Sequence, residues 1–539
     1  MKRRSFIKYT APAVAAPFVL GNMSLSALAE NDLPIDPCSL ATDRSIVIIK
    51  LGGGTDGINL VVPIDQYNTY ANLRPTIKHG LSDLIELDDT MAIGDQVGLH
   101  PGMQKFKDLY DLGKFHVIQG VSYPNANRSH FRSTKIMQAG LQGNSSLSNT
   151  SGWAARYLKH SFNPESFIDP LGISIGGEGI FNHNYAERLH VSLIPGGVNT
   201  MYNFANTLSN DIEDTTSQSD YHKALDHIIT TNEGIGQYAD RIYNVYNAGA
   251  NTSSVTYGND ELSAALKLVA RLISGGSTTK VFSLNMGGWD THNNELGRQN
   301  ALVAKLTTAI DAFLADLAAQ NLDHRVIGAT YSEMGRAVAQ NANGGTDHGV
   351  IFPMFAFGGG VNAGISGTNV NLSNVSANNN LQNAQHDYRQ VLTTMMQDWL
   401  GSDSTCVTDA GFGTFLPQKV DMLDTDQVVA DSCYTVVGES TQARLAQDSV
   451  FTEDQKDHID IYPNPSHGTF NVDFYSSIED DGYIKVIDAQ GREVYRKELI
   501  VFEEDNSYSV SINVPNGIYA VMLVTERQGI IAGDYVVIK

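Results

Sequence analysis

The chain is short of cysteine, of positive charge and of long apolar runs, and each shortage removes a class of protein. It has three cysteines in 539 residues. Cys38, Cys406 and Cys433 show none of the paired spacing of a thiolate metal site. Lys and Arg number 36 against 59 Asp and Glu, a formal charge of -23, which argues against nucleic acid as the main partner. No later stretch is apolar for long enough to serve as a transmembrane anchor. What remains is a globular composition, 42% hydrophobic and 18% charged, on a chain long enough for two or more domains.

The first 29 residues read as a targeting segment. Lys2-Arg3-Arg4-Ser5-Phe6-Ile7-Lys8 precedes a mildly apolar run from Tyr9 to Leu20, and Ala27-Leu28-Ala29 offers a cleavage site before Glu30. The order resembles a twin-arginine export signal. Export permits disulfides, and Cys406 with Cys433 is the favoured pair.

From Arg44 to about residue 425, strand-like and helix-like segments alternate. Arg44–Leu51, Phe115–Val121, Lys280–Met286, Arg325–Tyr331 and Phe352–Phe357 are short apolar runs rich in β-branched and aromatic residues, the texture of buried strands. Met103–Leu112, Ser133–Ala139, Glu261–Ile273, Leu296–Ala319 and Asp387–Leu400 read as helices between and after them. The expectation is an α/β domain with a mainly parallel sheet. Residues 162–258 read as an irregular insertion or cap with a helix near Tyr221–Thr230, and residues 426–458 as a polar, acidic linker.

Candidate site residues cluster where these strands end. Asp56 follows Gly52-Gly53-Gly54-Thr55, Ser129 and His130 lie beyond Phe115–Val121, and Asp290 and His292 follow Met286-Gly287-Gly288-Trp289. Glu333 and Arg336 follow Tyr331, and Asp347-His348 comes after an Asn/Gly loop. In open α/β sheets ligands bind at the carboxyl ends of strands. Carboxylates with imidazoles suit Zn, Mn or Fe, and carboxylates alone suit Mg or Ca. A serine hydroxyl beside such ions is a candidate nucleophile, and Arg128, Arg336 and Arg389 are candidate contacts for an anionic ester. Each piece has a structural reading too: a capping Asp with a surface His, a Glu–Arg pair, a core Trp289. The glycine run lacks the Lys-Ser/Thr of a P-loop.

The residues Leu51-Gly52-Gly53-Gly54-Thr55-Asp56-Gly57-Ile58-Asn59, Leu99-His100-Pro101, Arg128-Ser129-His130-Phe131, Gly288-Trp289-Asp290-Thr291-His292, Ser332-Glu333-Met334-Gly335-Arg336, Gly345-Thr346-Asp347-His348-Gly349 and Asp387-Tyr388-Arg389 resemble the domain of unknown function 1501 family. That family is similar to the alkaline phosphatase and sulfatase superfamily. The resemblance implies helices around a mixed sheet, with Ser129 as nucleophile and Arg336 beside it. It also implies Asp56 and Glu333 on one divalent metal (Zn, Mn, Ca or Mg), and Asp290, His292 and His348 on another. Asp347 competes with Glu333 as a ligand.

From Ile459 the texture changes to short alternating segments separated by turn signals, as in a small β-sandwich. Tyr462-Pro463-Asn464-Pro465, Gly491-Arg492-Glu493-Val494, Asn516-Gly517-Ile518-Tyr519 and Val536-Val537-Ile538-Lys539 resemble the type IX secretion sorting domain of Bacteroidetes proteins. The export machineries are the partners this implies. The expected function is an exported, metal-dependent hydrolase of phosphate or sulfate esters. The alternative is a non-catalytic surface protein that keeps a degenerate fold of this kind and binds a glycan or a partner protein.

Overall fold

The computed structural model describes residues 43–429, apart from 148–149, 163–167, 177–178, 183–188, 195, 209–237 and 383. It also describes 459–538, apart from 463, 465, 477–479, 489–492, 502–503 and 526–528. The twin-arginine segment, Cys38, Cys433, the helix expected near Tyr221–Thr230 and most of the linker lie outside the described residues. Cys406 is a buried free thiol.

The strands of the first domain run in chain order β1 (Ser45–Leu51), β2 (Val61–Pro63), β3 (Ile85–Glu86), β4 (Val97–Leu99), β5 (Phe115–Ser122), β6 (Gly172–Ile175), β7 (His190–Leu193), β8 (Val281–Met286), β9 (Val326–Tyr331), β10 (Phe352–Gly358), β11 (Gly364–Ser366) and β12 (His386–Asp387). Among the described residues, nine of them form one sheet in the order β11-β5-β10-β9-β1-β8-β6-β7, with β12 also beside β5. β2, β4 and β3 make a small separate sheet. β1 lies at the centre, parallel to β8 on one side and β9 on the other. All seven of its residues are buried, because both faces of the sheet are covered.

Alternation along β1 feeds two cores. Val47, Ile49 and Leu51 face helices Glu261–Ser274 and Glu295–Ala319. Ile46 and Ile48 face helices Trp153–Ser161 and Tyr388–Thr394. Asp260 caps Glu261–Ser274 by accepting from the Ser263 amide at 3.0 Å, satisfying one of the orphan donors at the helix start.

Strand texture alone suggested a mainly parallel sheet, whereas the family resemblance implied a mixed one, and the structure bears out the latter. β10 runs antiparallel to both neighbours, β5 and β9, so the sheet is mixed. The stretch expected to be an irregular cap contributes β6 and β7, which extend the sheet in parallel beyond β8. At four residues each, they are too short to show a clear period. The C-terminal domain packs β13 (Ile459–Tyr462), β14 (Thr469–Ser476) and β17 (Glu504–Ser511) against β15 (Asp480–Ile487), β16 (Glu493–Val501), β18 (Gly517–Thr525) and β19 (Gly529–Ile538). Phe470, Val472, Val486, Val521 and Leu523 share its core. Asp480-Asp481-Gly482, a turn signal by composition, opens β15 instead.

Candidate metal centre

Four segments leave the carboxyl edge of the sheet and converge. β1 runs into Gly52-Gly53-Gly54, β8 into Gly287-Gly288-Trp289-Asp290, β9 into Ser332-Glu333, and β5 into the loop that ends at His130. His348 arrives from the other direction. It precedes β10, and because β10 is antiparallel its start lies at the same edge.

The glycine run allows the close approach. Gly53 has φ +123°, and a Cβ on it would lie 2.4 Å from the amide nitrogen of Asp290. The Trp289 amide donates to the Gly52 carbonyl at 3.1 Å. These glycines therefore serve backbone-to-backbone packing that places Asp290.

The convergence point is one carboxylate oxygen and three imidazole nitrogens. Asp290 Oδ1 is 3.1 Å from His292 Nε2, 3.4 Å from His348 Nε2 and 3.5 Å from His130 Nε2. His348 Nε2 is 2.9 Å from His292 Nε2 and 3.0 Å from His130 Nε2. His130, Asp290 and His348 each offer one atom within a 4.8 Å sphere of mutual distances, and His292 adjoins them.

What lies behind two of the rings fixes their tautomer. His130 Nδ1 donates to Glu333 Oε1 at 2.9 Å and His348 Nδ1 donates to the Arg128 carbonyl at 2.8 Å. His292 Nδ1 faces Asp347 Oδ1 at 3.5 Å. With Nδ1 as the donor, the neutral ring presents a bare lone pair at Nε2. The lone pairs point at one another and at an anionic oxygen. One proton can bridge one nitrogen pair, but the single in-plane lone pair of His348 cannot accept from both neighbours.

This is the outer arrangement that metal-bound histidines use. Ligands about 2.0–2.1 Å from a tetrahedral ion lie about 3.3 Å from one another. The three separations among His130, Asp290 and His348 run from 3.0 to 3.5 Å, while His292 lies against His348 and Asp290 but outside the set whose atoms are all within 4.8 Å of one another. Three imidazoles with one carboxylate suit Zn, Mn or Fe over the oxygen-seeking Mg and Ca.

The same contacts set the charges. Burial raises Asp290, but the Arg336 hydrogen bond and charge hold its carboxyl below the usual range. Burial raises Glu333 too, and the His130 hydrogen bond overrides it. The Glu333 bond in turn lifts His130, whereas burial lowers His348.

The sequence-derived candidates thus separate into three groups. Asp290, His292 and His348 meet, joined by His130, to which the family resemblance gave no ligand role. Glu333 stands behind His130, its Oε1 also accepting from the Gly53 amide at 2.8 Å. Asp347 is 71% exposed behind His292. Asp56 is placed elsewhere: it is buried, and both its oxygens are gripped by Arg74, with Nη2–Oδ1 at 2.8 Å. The Glu295 carboxyl lies close enough to share a proton with it. Arg336 has a fully buried side chain that donates to the carbonyls of Gly54, Thr346, Gly53 and Trp289 and to Asp290. It positions Asp290 and the glycine loop, and its donors are not turned to an ester. Arg389 is paired with Asp387 away from these residues. Trp289 is in the core. Ser129 is exposed at the N-cap of helix His130–Ala139, its hydroxyl making no capping bond.

Residues 43–414 match the family described as "Protein of unknown function (DUF1501)". The chain belongs to this family. The centre lies wholly within the DUF1501 region. Residues 460–537 match the "Secretion system C-terminal sorting domain", so the DUF1501 domain is joined to a type IX tail that directs export to the cell surface or beyond. No helix among the described residues is long and apolar enough to cross a membrane. No curated protein matches the chain. Among solved structures, alkaline phosphatase from the Antarctic bacterium TAB5 is 10% identical at TM-score 0.25, covering 60% of this chain and 95% of that one. Dimeric latent PorU from Porphyromonas gingivalis is 14% identical at TM-score 0.14, covering 15% of this chain and 9% of that one. The chain thus spans less than a tenth of the length of PorU. At such scores both likenesses stand as observations alone.

Proposed function

We propose that the protein is an exported, single-metal hydrolase of anionic esters, phosphate or sulfate, built on His130, His292, His348 and Asp290. The observation that carries this reading is the meeting of three Nε2 lone pairs with Asp290 Oδ1, with the His130 and His348 rings each held from behind by an oxygen. Exposure supports catalysis over a purely structural ion. Asp290 and His292 are 45% and 40% exposed, as suits a site that keeps a position open to solvent or substrate.

A divalent metal bound there supplies positive charge and Lewis acidity at the mouth of the site. The chain's own residues do the rest. Arg336 fixes Asp290, Glu333 fixes His130, and Arg128 fixes His348 through its carbonyl. Ser129 immediately precedes His130, and the helix it caps carries partial positive charge at that end, which favours an anionic ester. Its hydroxyl is the nucleophile. Attack on phosphorus or sulfur releases the ester's alcohol, which takes up the serine proton, and water then restores the serine. With Asp56 engaged by Arg74 and Glu333 behind His130, a second metal is not part of this reading.

The test is turnover of phosphate monoesters, phosphate diesters and sulfate esters by the zinc- or manganese-loaded chain. Activity abolished by chelation, restored by metal and lost in Ser129→Ala with metal content intact supports the proposal. No turnover on any of the three substrate types by metal-loaded protein contradicts it.

A further inference from the structure

We propose a second ligand site, separate from the metal centre, in which a cavity beside β5 takes a neutral saccharide unit. The cavity has a volume of ≈ 610 Å³, within the range of about 300–1,000 Å³ usual for small-molecule sites. Ser122 and Tyr123, at the carboxyl end of β5, form one wall. His386 and Asp387 of β12, paired alongside, form the next. Arg389 and Gln390 come from helix Tyr388–Thr394, and Thr414 and Gln418 from the segment Gly413–Gln418.

The lining has no net charge to offer an ion. Its one carboxylate, Asp387, is held by its one guanidinium, Arg389, through Nε–Oδ1 at 2.8 Å and Nη2–Oδ2 at 2.7 Å. Burial holds the His386 imidazole below its usual value, so it is neutral. The remainder is amides, hydroxyls and aromatic rings, with Arg389 lying 4.5 Å above the Phe415 ring. Such a wall presents donors and acceptors together, which is what a hydroxyl-dense neutral ligand requires. Gln390 Oε1 accepts from the Asp387 amide at 2.8 Å and Gln418 Nε2 donates to the Thr414 carbonyl at 3.1 Å, while the contact between the two side chains, at 3.4 Å, is the long one that a ligand would replace.

An extended peptide fits less well. β5 itself is flanked by β10 on one side and by β11 and β12 on the other, so it offers no edge of its own for backbone pairing.

The experiment is calorimetric titration of the chain without its signal segment, before and after chelation, with maltotriose, cellotriose, chitotriose and a sulfated heparin tetrasaccharide. Binding of at least one neutral sugar is expected, unchanged by chelation. Thr414→Trp, which fills the cavity from an exposed position, and Gln418→Ala should each weaken it at least tenfold. Both sites are exposed, so the fold is retained. Absence of neutral-sugar binding, binding of the sulfated sugar alone, or equal affinity in both variants would overturn the proposal.

Discussion

The Nε2 atoms of His292 and His348 lie 2.9 Å apart, and the Nδ1 of His348 is committed to the Arg128 carbonyl. Two imidazoles brought together nitrogen to nitrogen, with a third ring and a carboxylate beside them, form a donor set that a cation would hold together. Glu333, which looked like a ligand from its place after β9, is the support behind one of those rings.

That difference has a measurable consequence. Glu333→Gln keeps the side chain's size and its bond to Gly53 but weakens the hold on His130. Outer residues of this kind are worth roughly 10–100-fold in metal affinity. Competition against a fluorescent zinc chelator should show a loss of that order for Glu333→Gln and a larger one for His130→Ala. An unchanged affinity in Glu333→Gln would remove Glu333 from the site.

The glycine loop gives a second test. Gly53→Ala introduces a Cβ at φ +123°, within 3 Å of the Trp289 and Asp290 backbone. The strained conformation alone costs about 1–3 kcal/mol, and relief requires Asp290 to move. Thermal unfolding should fall, and metal affinity should fall with it. Lower stability with unaltered metal binding would mean that the loop does not place Asp290.

Much of this arrangement is legible in the sequence. β1, β5, β8, β9 and β10 show as apolar runs, Asp290 and His292 follow from their position after a strand, and His348 follows from the Asp-His-Gly letters after the Asn/Gly loop. His130 is harder to rank, because a histidine one residue into a helix reads equally well as surface. The fate of Asp56 turns on Arg74, 18 residues later in a separate helix-terminal turn, and no local pattern reveals that pairing. Arg336 resembles an anion binder until its carbonyl partners, contributed by three separate loops, are known.

The Asp56–Arg74–Glu295 cluster makes a pH prediction of two signs. Burial raises Asp56, but Arg74 and the Glu295 hydrogen bond outweigh it, so its folded pKa is depressed. Its contribution to stability is present above the unfolded value of about 3.9 and is lost as pH falls through the folded value. Glu295 is the reverse case. Burial, then the Asp56 charge, push its carboxyl well above the usual range. Its contribution is full below about 4.3 and is lost as pH rises towards the raised value. Glu295→Gln stays neutral, can donate to Asp56 and can accept from Thr346. Denaturant unfolding should show it more stable than the native chain at pH 8, with a flatter slope between pH 5 and 8. Asp56→Ala should destabilise by about 3–5 kcal/mol at pH 7, since it strands the buried Arg74 charge. A native-like stability curve for Glu295→Gln would mean that Glu295 is ionised in the fold.

The central claim is one metal held by His130, Asp290, His292 and His348. Elemental analysis by mass spectrometry, on folded chain equilibrated with zinc and freed of loosely bound ions, tests it most directly. One zinc per chain is expected in the native protein, with near-complete loss in a His292→Ala/His348→Ala double variant that remains folded. Sub-stoichiometric metal in the native protein, or equal metal in the double variant, would contradict it.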